Sequence, residues 1–197
     1  MARSEDIRRA ALNLFAQKGY DATSIQDITS SVNIKKATFY SHFQSKNELF
    51  ILLMKEQSES IINKTNVALN ESKATDLKGL LFDVFNAQVR MNFDRTHLLF
   101  WKRAVLTQAG MTDNELQTQL SAIMGKVNET ITSAIMSSLS KVKAELSMEY
   151  TSKCMCMFLV LLQGYLDWIL ITNNLDEDHA KLAWDCMWNG MQELSRK

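Results

Sequence analysis

No proline occurs anywhere in this 197-residue chain. Proline breaks helix interiors and populates turns, so its complete absence favours long helices joined by short connections. Glycine, the other common breaker, appears only 6 times. β-Branched runs that alternate with period two are rare. These features predict an all-α protein. Hydrophobic residues make up 46 % of the chain, which suits a soluble globular protein with a sizeable core. The length holds one large domain or two small ones.

The opening residues, MARSEDIRRAALNLFAQKGY, have neither an uninterrupted apolar core nor a small-residue cleavage site, so no secretory leader is expected. The 3 cysteines, Cys154, Cys156 and Cys186, are an odd count, which argues against a disulfide framework. Free thiols in apolar helices point to a reducing compartment, the cytoplasm. Cys154-Met155-Cys156 lacks the spacing of a zinc site. No metal or cofactor is expected, and the thiols are read as buried and structural. The most apolar run, CMCMFLVLLQGYLDWILI from Cys154 to Ile171, is nearly long enough to span a bilayer. Gln163 and Asp167 interrupt it, and intramembrane acids are costly. The run is expected to be a helix buried in protein, with no membrane partner.

Ile7, Ala11, Leu14 and Phe15 share one face of a helix over about 4–18. Gly19 follows at a C-cap position. Ser24-Ile25-Gln26-Asp27 is a capping-box variant that opens a second helix, with Ile25, Ile28 and Val32 on its buried face. Asn33 tolerates positive φ and makes the next turn. A third helix starts near Lys35 and carries Phe39 and Phe43 one turn apart. Helix, tight turn, helix, with an earlier helix packed across both, is the helix-turn-helix arrangement.

The segment NIKKATFYSHFQSK, from Asn33 to Lys46, concentrates Lys35, Lys36, His42 and Lys46 and contains no acid, although the chain as a whole is neutral. Ile34, Phe39 and Phe43 turn to the core. Lys36, Ala37, Tyr40 and Ser41 turn outward, flanked by Thr38, His42 and Lys46. A cationic, aromatic, hydroxyl-bearing face without acids suits the major groove of double-stranded DNA.

The same residues resemble the DNA-binding domain of the tetracycline-repressor (TetR-type) family of bacterial transcription regulators. The resemblance is carried by Ala11, Phe15, Gly19-Tyr20, Thr23-Ser24, Asp27-Ile28, Ile34, Lys36, Thr38, Phe39-Tyr40, His42-Phe43 and Lys46-Asn47-Glu48-Leu49. It covers roughly the first quarter of the chain and implies a DNA-binding domain over residues 1–46, with effector binding and dimerisation over 47–197. Asn33 and Ala37 stand where that family commonly has glycine, and Lys35 stands where it commonly has serine, leaving helix capping weaker and the charge greater. By resemblance, Lys36, Ala37, Tyr40 and Ser41 face bases. Thr38, His42 and Lys46 hold phosphates, Ser24 offers its hydroxyl and nearby amides to another, Arg3 reaches the backbone from an arm, and Lys35 serves either purpose. Charge is partitioned mildly: residues 1–50 hold 7 Lys+Arg against 5 Asp+Glu, and the remainder holds 15 against 17. If a dimer neutralises roughly eight phosphates, log affinity falls with log salt at a slope near −7.

Further helices are expected over about 46–70, 75–92, 94–108, 113–140, 147–172 and 176–196. The last two are the most apolar, and a helix with apolar residues nearly all round needs cover on several faces. In the resembled family the matching helices pair two subunits. Leu162, Leu166, Ile169, Trp184, Met187, Trp188 and Met191 are the candidates for a homodimer interface, with Gly164 and Gly190 permitting close approach. Met and aromatic side chains make adaptable apolar surfaces. Phe85, Gln88, Val89, Asn92, Phe93, Phe100, Trp101, Met124, Met155, Phe158, Tyr165 and Trp168 are the candidates for an effector pocket. Ordinary core is the competing reading for each of them. As a set they imply a small apolar ligand, and Asp167 beside Trp168 suggests a cationic lipophile as the alternative.

An enzyme is not expected. The only histidines are His42, His97 and His179; the last two lack a sequence-evident acid or nucleophile partner. No Gly-rich phosphate loop or metal motif is present. A membrane-surface module would need basic amphipathic helices, whereas Asp176, Glu177 and Asp178 flank the most apolar ones.

Overall fold

The computed structural model describes residues 4–91, 95–139, 148–174 and 176–195. Every regular element among them is helical: α1 Ser4–Lys18, α2 Ile25–Ser31, α3 Lys36–Tyr40, α4 Lys46–Glu71, α5 Leu77–Met91, α6 Arg95–Thr107, α7 Asn114–Ser138, α8 Met148–Thr172 and α9 Glu177–Ser195. One turn of 3-10 helix, Gln108–Gly110, precedes α7. The all-α expectation holds. The expected helix ends at 92, 94, 140, 147 and 196 fall outside the described residues.

Local chemistry sets the boundaries. Gly19 takes φ 86° and closes α1, its N–H donating to the Phe15 carbonyl at 3.0 Å. Ser24 caps α2 in a reciprocal box with Asp27. Asn33 sits at φ 54°, as its turn requires. Lys35 precedes α3 with no side-chain cap, as its replacement of serine implies. α3 proper is one residue longer than a turn, but the Phe43 N–H still donates to the Phe39 carbonyl at 2.9 Å, so Phe39 and Phe43 reach the core together.

The chain divides into two compact units. The first holds α1–α3, α4 through Ser60, α6, and α7 through Val127. Its core is aromatic. Phe15 meets Phe50 edge to face at 5.0 Å, Phe50 meets Phe100 at 5.4 Å, and Tyr20 tilts against Phe50 at 4.8 Å. Ile7, Ala11, Ile28, Phe39, Phe43, Leu49 and Met54 complete it. This packing boundary differs from the division at residue 46 expected from the resemblance. The apolar stripe of α1 needs a lid, and α6 provides it with Phe100 and Ala104.

The second unit holds the remainder of α4 and α7 with α5, α8 and α9. Here Phe85 and Trp184 pack at 5.5 Å, Phe158 stands edge-on to Trp184 at 6.3 Å, and Trp184 stacks on Trp188 at 5.8 Å. Gln88 bonds Thr65 within it.

Three expectations are corrected in this unit. Leu162, Leu166, Ile169, Trp184, Trp188 and Met191 are buried within the chain itself, and Met187 is half-buried. They are core, because α5, α8 and α9 consume those faces for one another. Helix α8 is not covered all round: Met157, Val160, Trp168 and Ile171 are exposed, the last at 79 %. Glu149–Thr172 is long and apolar enough to cross a membrane by length and composition. Finally, only Cys154 is buried, where burial raises its thiol pKa; Cys156 and Cys186 are exposed.

Candidate nucleic-acid interface

The interface is built on α2, the Asn33 turn and α3. Ile28 and Phe39 anchor the two helices from inside, which forces the intervening face of α3 outward. Lys35, Lys36, Ala37, Tyr40, Ser41 and His42 are all exposed, and Thr38 is half-buried. Tyr40, at 55 % exposure, meets Phe39 edge-on at 5.6 Å. Lys35 and Lys36 have no ion-pair partner among the described residues. Ser41 spends its hydroxyl proton on the Thr38 carbonyl at 2.7 Å, leaving an acceptor.

Two expected phosphate contacts are engaged elsewhere. The Lys46 ammonium donates to the carbonyls of Tyr20 and Thr23, 2.9 Å each, and lies 4.0 Å from the centre of the Tyr20 ring. Burial lowers its pKa. With two of its three N–H donors used, Lys46 serves first as a clamp on the α1–α2 turn, and one donor remains. Ser24 gives its hydroxyl proton to Asp27 at 2.6 Å and accepts from the Asp27 amide at 3.1 Å. That hydroxyl bond is the main reason the Asp27 carboxyl is held below its ordinary value. Ser24 therefore belongs to the helix cap. Arg3 lies outside the described residues.

A network that the sequence reading did not assemble braces this region. The Tyr20 hydroxyl donates to Asn47 Oδ1, and the Asn47 amide donates to Asp113 Oδ2 at 2.8 Å. Asp113 in turn accepts from the Leu116 amide at 3.0 Å, at the start of α7. Burial, with Asp113 and Asp21 nearby, pushes the Tyr20 phenol up to about 12. Asp113 is held low, chiefly by the Leu116 amide and then by Asn47. Gly-Tyr and Lys-Asn-Glu-Leu were visible as motif residues. Asp113 had only a capping signal, an acid three residues before an apolar helical position.

The effector candidates fall into separate groups. Phe100, Trp101 and Met124 belong to the first unit's core or pack against it. Phe85, Gln88, Val89, Met155, Phe158 and Tyr165 are buried in the second unit. Trp168 and Asp167 lie on the exposed side of α8, so they form no enclosed site with that group. Asn92 and Phe93 lie outside the described residues. No group of three or more His, Cys, Asp and Glu that could hold a metal occurs among the described residues. His97 Nδ1 lies 2.7 Å from Gln57 Oε1, an amide that supplies no acid or base.

A free cationic face on a short, well-anchored second helix defines a helix-turn-helix head. Residues 7–53 match the family model described as bacterial regulatory proteins, tetR family. The match shows a likeness of the head to that family over those residues, and the chain is all-α among its described residues. An 88-residue stretch is 38 % identical to the biofilm operon icaADBC HTH-type negative transcriptional regulator IcaR of Staphylococcus aureus, covering 41 % of this chain and 47 % of that protein. The Staphylococcus epidermidis counterpart is 52 % identical over 40 residues, 20 % of this chain and 22 % of its own length. Each match thus spans half or less of the curated relative. In fold, the chain is similar to the fatty acid degradation regulator FadR from Bacillus halodurans, with a TM-score of 0.69, 18 % identity and 93 % of each chain covered. It is also similar to the TetR family regulator PfmR from Thermus thermophilus, with a TM-score of 0.64, 22 % identity and coverage of 92 % of this chain and 96 % of the other.

Proposed function

We propose that this protein is a cytoplasmic, homodimeric transcriptional repressor that grips a palindromic DNA operator with residues 1–46. A small effector taken up by the remainder, residues 47–197, releases it. The observation that carries the reading is the face of α3, where Lys35 and Lys36 are exposed and unpaired among the described residues beside exposed Tyr40 and His42. Lys36, Ala37, Tyr40 and Ser41 face bases. Lys35, Thr38 and His42 hold phosphates, joined by the third donor of Lys46, by the amides at the start of α2 beside Ser24, and by Arg3. Repression follows the negative regulation named for the staphylococcal relatives.

Two recognition helices require two copies. The face that supports pairing is the exposed one: Met157, Val160, Gly164, Trp168 and Ile171 recur at helical spacing along α8, with Leu182 and Gly190 on α9. A Cβ at Gly164 or Gly190 would meet nothing within 4 Å, so both glycines lie where a partner helix can approach closely. The effector residues are those buried in the second unit, Phe85, Gln88, Val89, Met155, Phe158 and Tyr165. An effector shifts the heads only as far as it prefers the non-binding state.

The test is selection of bound sequences from random duplex DNA by the wild type and by Lys36→Ala/Tyr40→Ala. A palindrome enriched by the wild type and lost by the double variant is the expected result. Enrichment of nothing by ligand-free wild type refutes the reading.

A further inference from the structure

Phe39 is fully buried and sets the rotation of α3 about its own axis. Ala37 and Ser41 each stand two residues from it, about 200° round the helix. They mark the crest of α3, the line farthest from the core, and both are exposed. The Ser41 N–H donates to the Ala37 carbonyl at 3.1 Å, so the two residues stack one turn apart on that crest. Lys36 and Tyr40 reach in from one side of it, Thr38 and His42 from the other. The crest carries the shortest side chains of the exposed face, so it can approach the floor of a groove most closely.

The chemistry of the crest is narrow. Ala37 offers a β-carbon and no polar side-chain atom. Ser41 has committed its hydroxyl proton to the Thr38 carbonyl at 2.7 Å, so its oxygen is left as an acceptor. The crest thus presents one methyl and one acceptor. The base pairs answer that set unequally in the major groove. A G·C pair offers an amino donor, on cytosine, but no methyl. An A·T pair offers both, the amino donor on adenine and the 5-methyl group on thymine. A methyl group has nothing to read on a base edge except another apolar group, and the thymine methyl is the apolar group of the major-groove code.

We infer that Ala37 is a specificity-determining residue, which reads a thymine in each operator half-site through its 5-methyl group. Ser41 accepts from an exocyclic amino group beside that thymine. The proposal rests on the reading of α3 as the helix that enters the major groove, and it names an A·T pair as the sequence under the crest.

The experiment uses the full chain and the operator obtained by selection from random duplex DNA. Each thymine of a half-site is replaced in turn by deoxyuridine, which keeps the base pair and removes only the methyl group. Affinities are measured for the wild type, Ala37→Gly and Ser41→Ala, with thermal unfolding to show that each variant is folded. One uracil position is expected to weaken the wild type about fourfold for each thymine replaced. Ala37→Gly is expected to bind the thymine and uracil operators equally at that position. Ser41→Ala is expected to bind the whole operator more weakly but to keep the response to uracil, because the methyl contact is not its own. The uracil series on the wild type needs no variant, so a poorly folded Ala37→Gly leaves the test standing. Selection that enriches no sequence removes the DNA reading, and the role of Ala37 with it. A palindrome whose uracil operators all bind the wild type as tightly as the thymine operator overturns the role of Ala37 alone. So does a uracil response that survives in folded Ala37→Gly.

Discussion

In the first unit Phe15, Phe50 and Phe100 meet mostly edge to face, and the polar atom at the margin of the cluster, the Tyr20 hydroxyl, is held by Asn47. In the second unit the rings are larger. Tyr165 finds the Asp176 carbonyl at 2.8 Å, but the indole N–H groups of Trp184 and Trp188 find no partner. The outer surfaces differ in the opposite sense. The first unit shows two lysines, a tyrosine and a histidine on and beside α3, whereas the second shows Val160, Trp168 and Ile171 on α8. The first unit also keeps two buried nitrogens without a partner among its described residues, Arg8 Nε and Arg103 Nε, so the contrast lies in the aromatic clusters and the outer surfaces. The second unit differs in leaving an apolar outer face on α8.

The largest expected effect tests the aromatic cluster of the first unit. Phe50→Ala removes the ring that touches Phe15, Tyr20 and Phe100 and should cost about 3–5 kcal/mol, measured by chemical denaturation. A cost below about 1 kcal/mol would mean that the cluster closes over the gap. Next comes Lys36→Ala/Tyr40→Ala, which should reduce operator affinity by at least about 30-fold at unchanged thermal stability, since each good base contact contributes about 1–3 kcal/mol. In the second unit, Val160→Glu with Ile171→Glu should convert a dimer to a monomer in sedimentation while intrachain stability moves by less than about 0.5 kcal/mol. A loss of folding instead would show that α8 is covered by the chain itself.

Ser24→Ala should cost about 1 kcal/mol of head stability and leave DNA affinity at fixed salt within about twofold. A larger loss of affinity in the folded head would return Ser24 to phosphate binding. The last effect is a pH dependence. The Tyr20 phenol is raised from 10.0 to about 12 in the folded state. Its contribution to stability is therefore fully present below pH 10 and is lost as pH rises towards about 12. Alkaline unfolding of the head should lose that component in Tyr20→Phe, and an unchanged alkaline limb would show that the network does not hold the phenol.

Much of the head was legible because its signals are local. The left-handed turns at Gly19 and Asn33 and the Ser24–Asp27 box each involve residues within three or four positions, and each reads directly from residue type. The outward face of α3 followed from its helical period. The role of Lys46 did not. Its carbonyl partners at Tyr20 and Thr23 are more than twenty residues away in sequence, and a lysine in a basic segment looks the same whether it meets phosphate or protein. The same blindness affected the body. Apolar positions on α8 and α9 were recognised as needing cover, but which were covered by their own chain depended on where α5 packed. Leu162 and Trp188 turned inward; Val160 and Ile171 did not.

By itself, the sequence determined that this chain is helical, that it opens with a helix-turn-helix head, and that one face of that head carries unopposed positive charge. Those properties depend on φ preferences, caps and helical periodicity, all set within a few residues. Only the tertiary structure decided that α6 closes the head, that Lys46 clamps the α1–α2 turn, and that the Trp184 and Trp188 indoles lie inside the second unit with their donors unspent. Those outcomes depend on which distant surfaces meet, and burial, which fixes the energy of every polar atom, exists only once they have met.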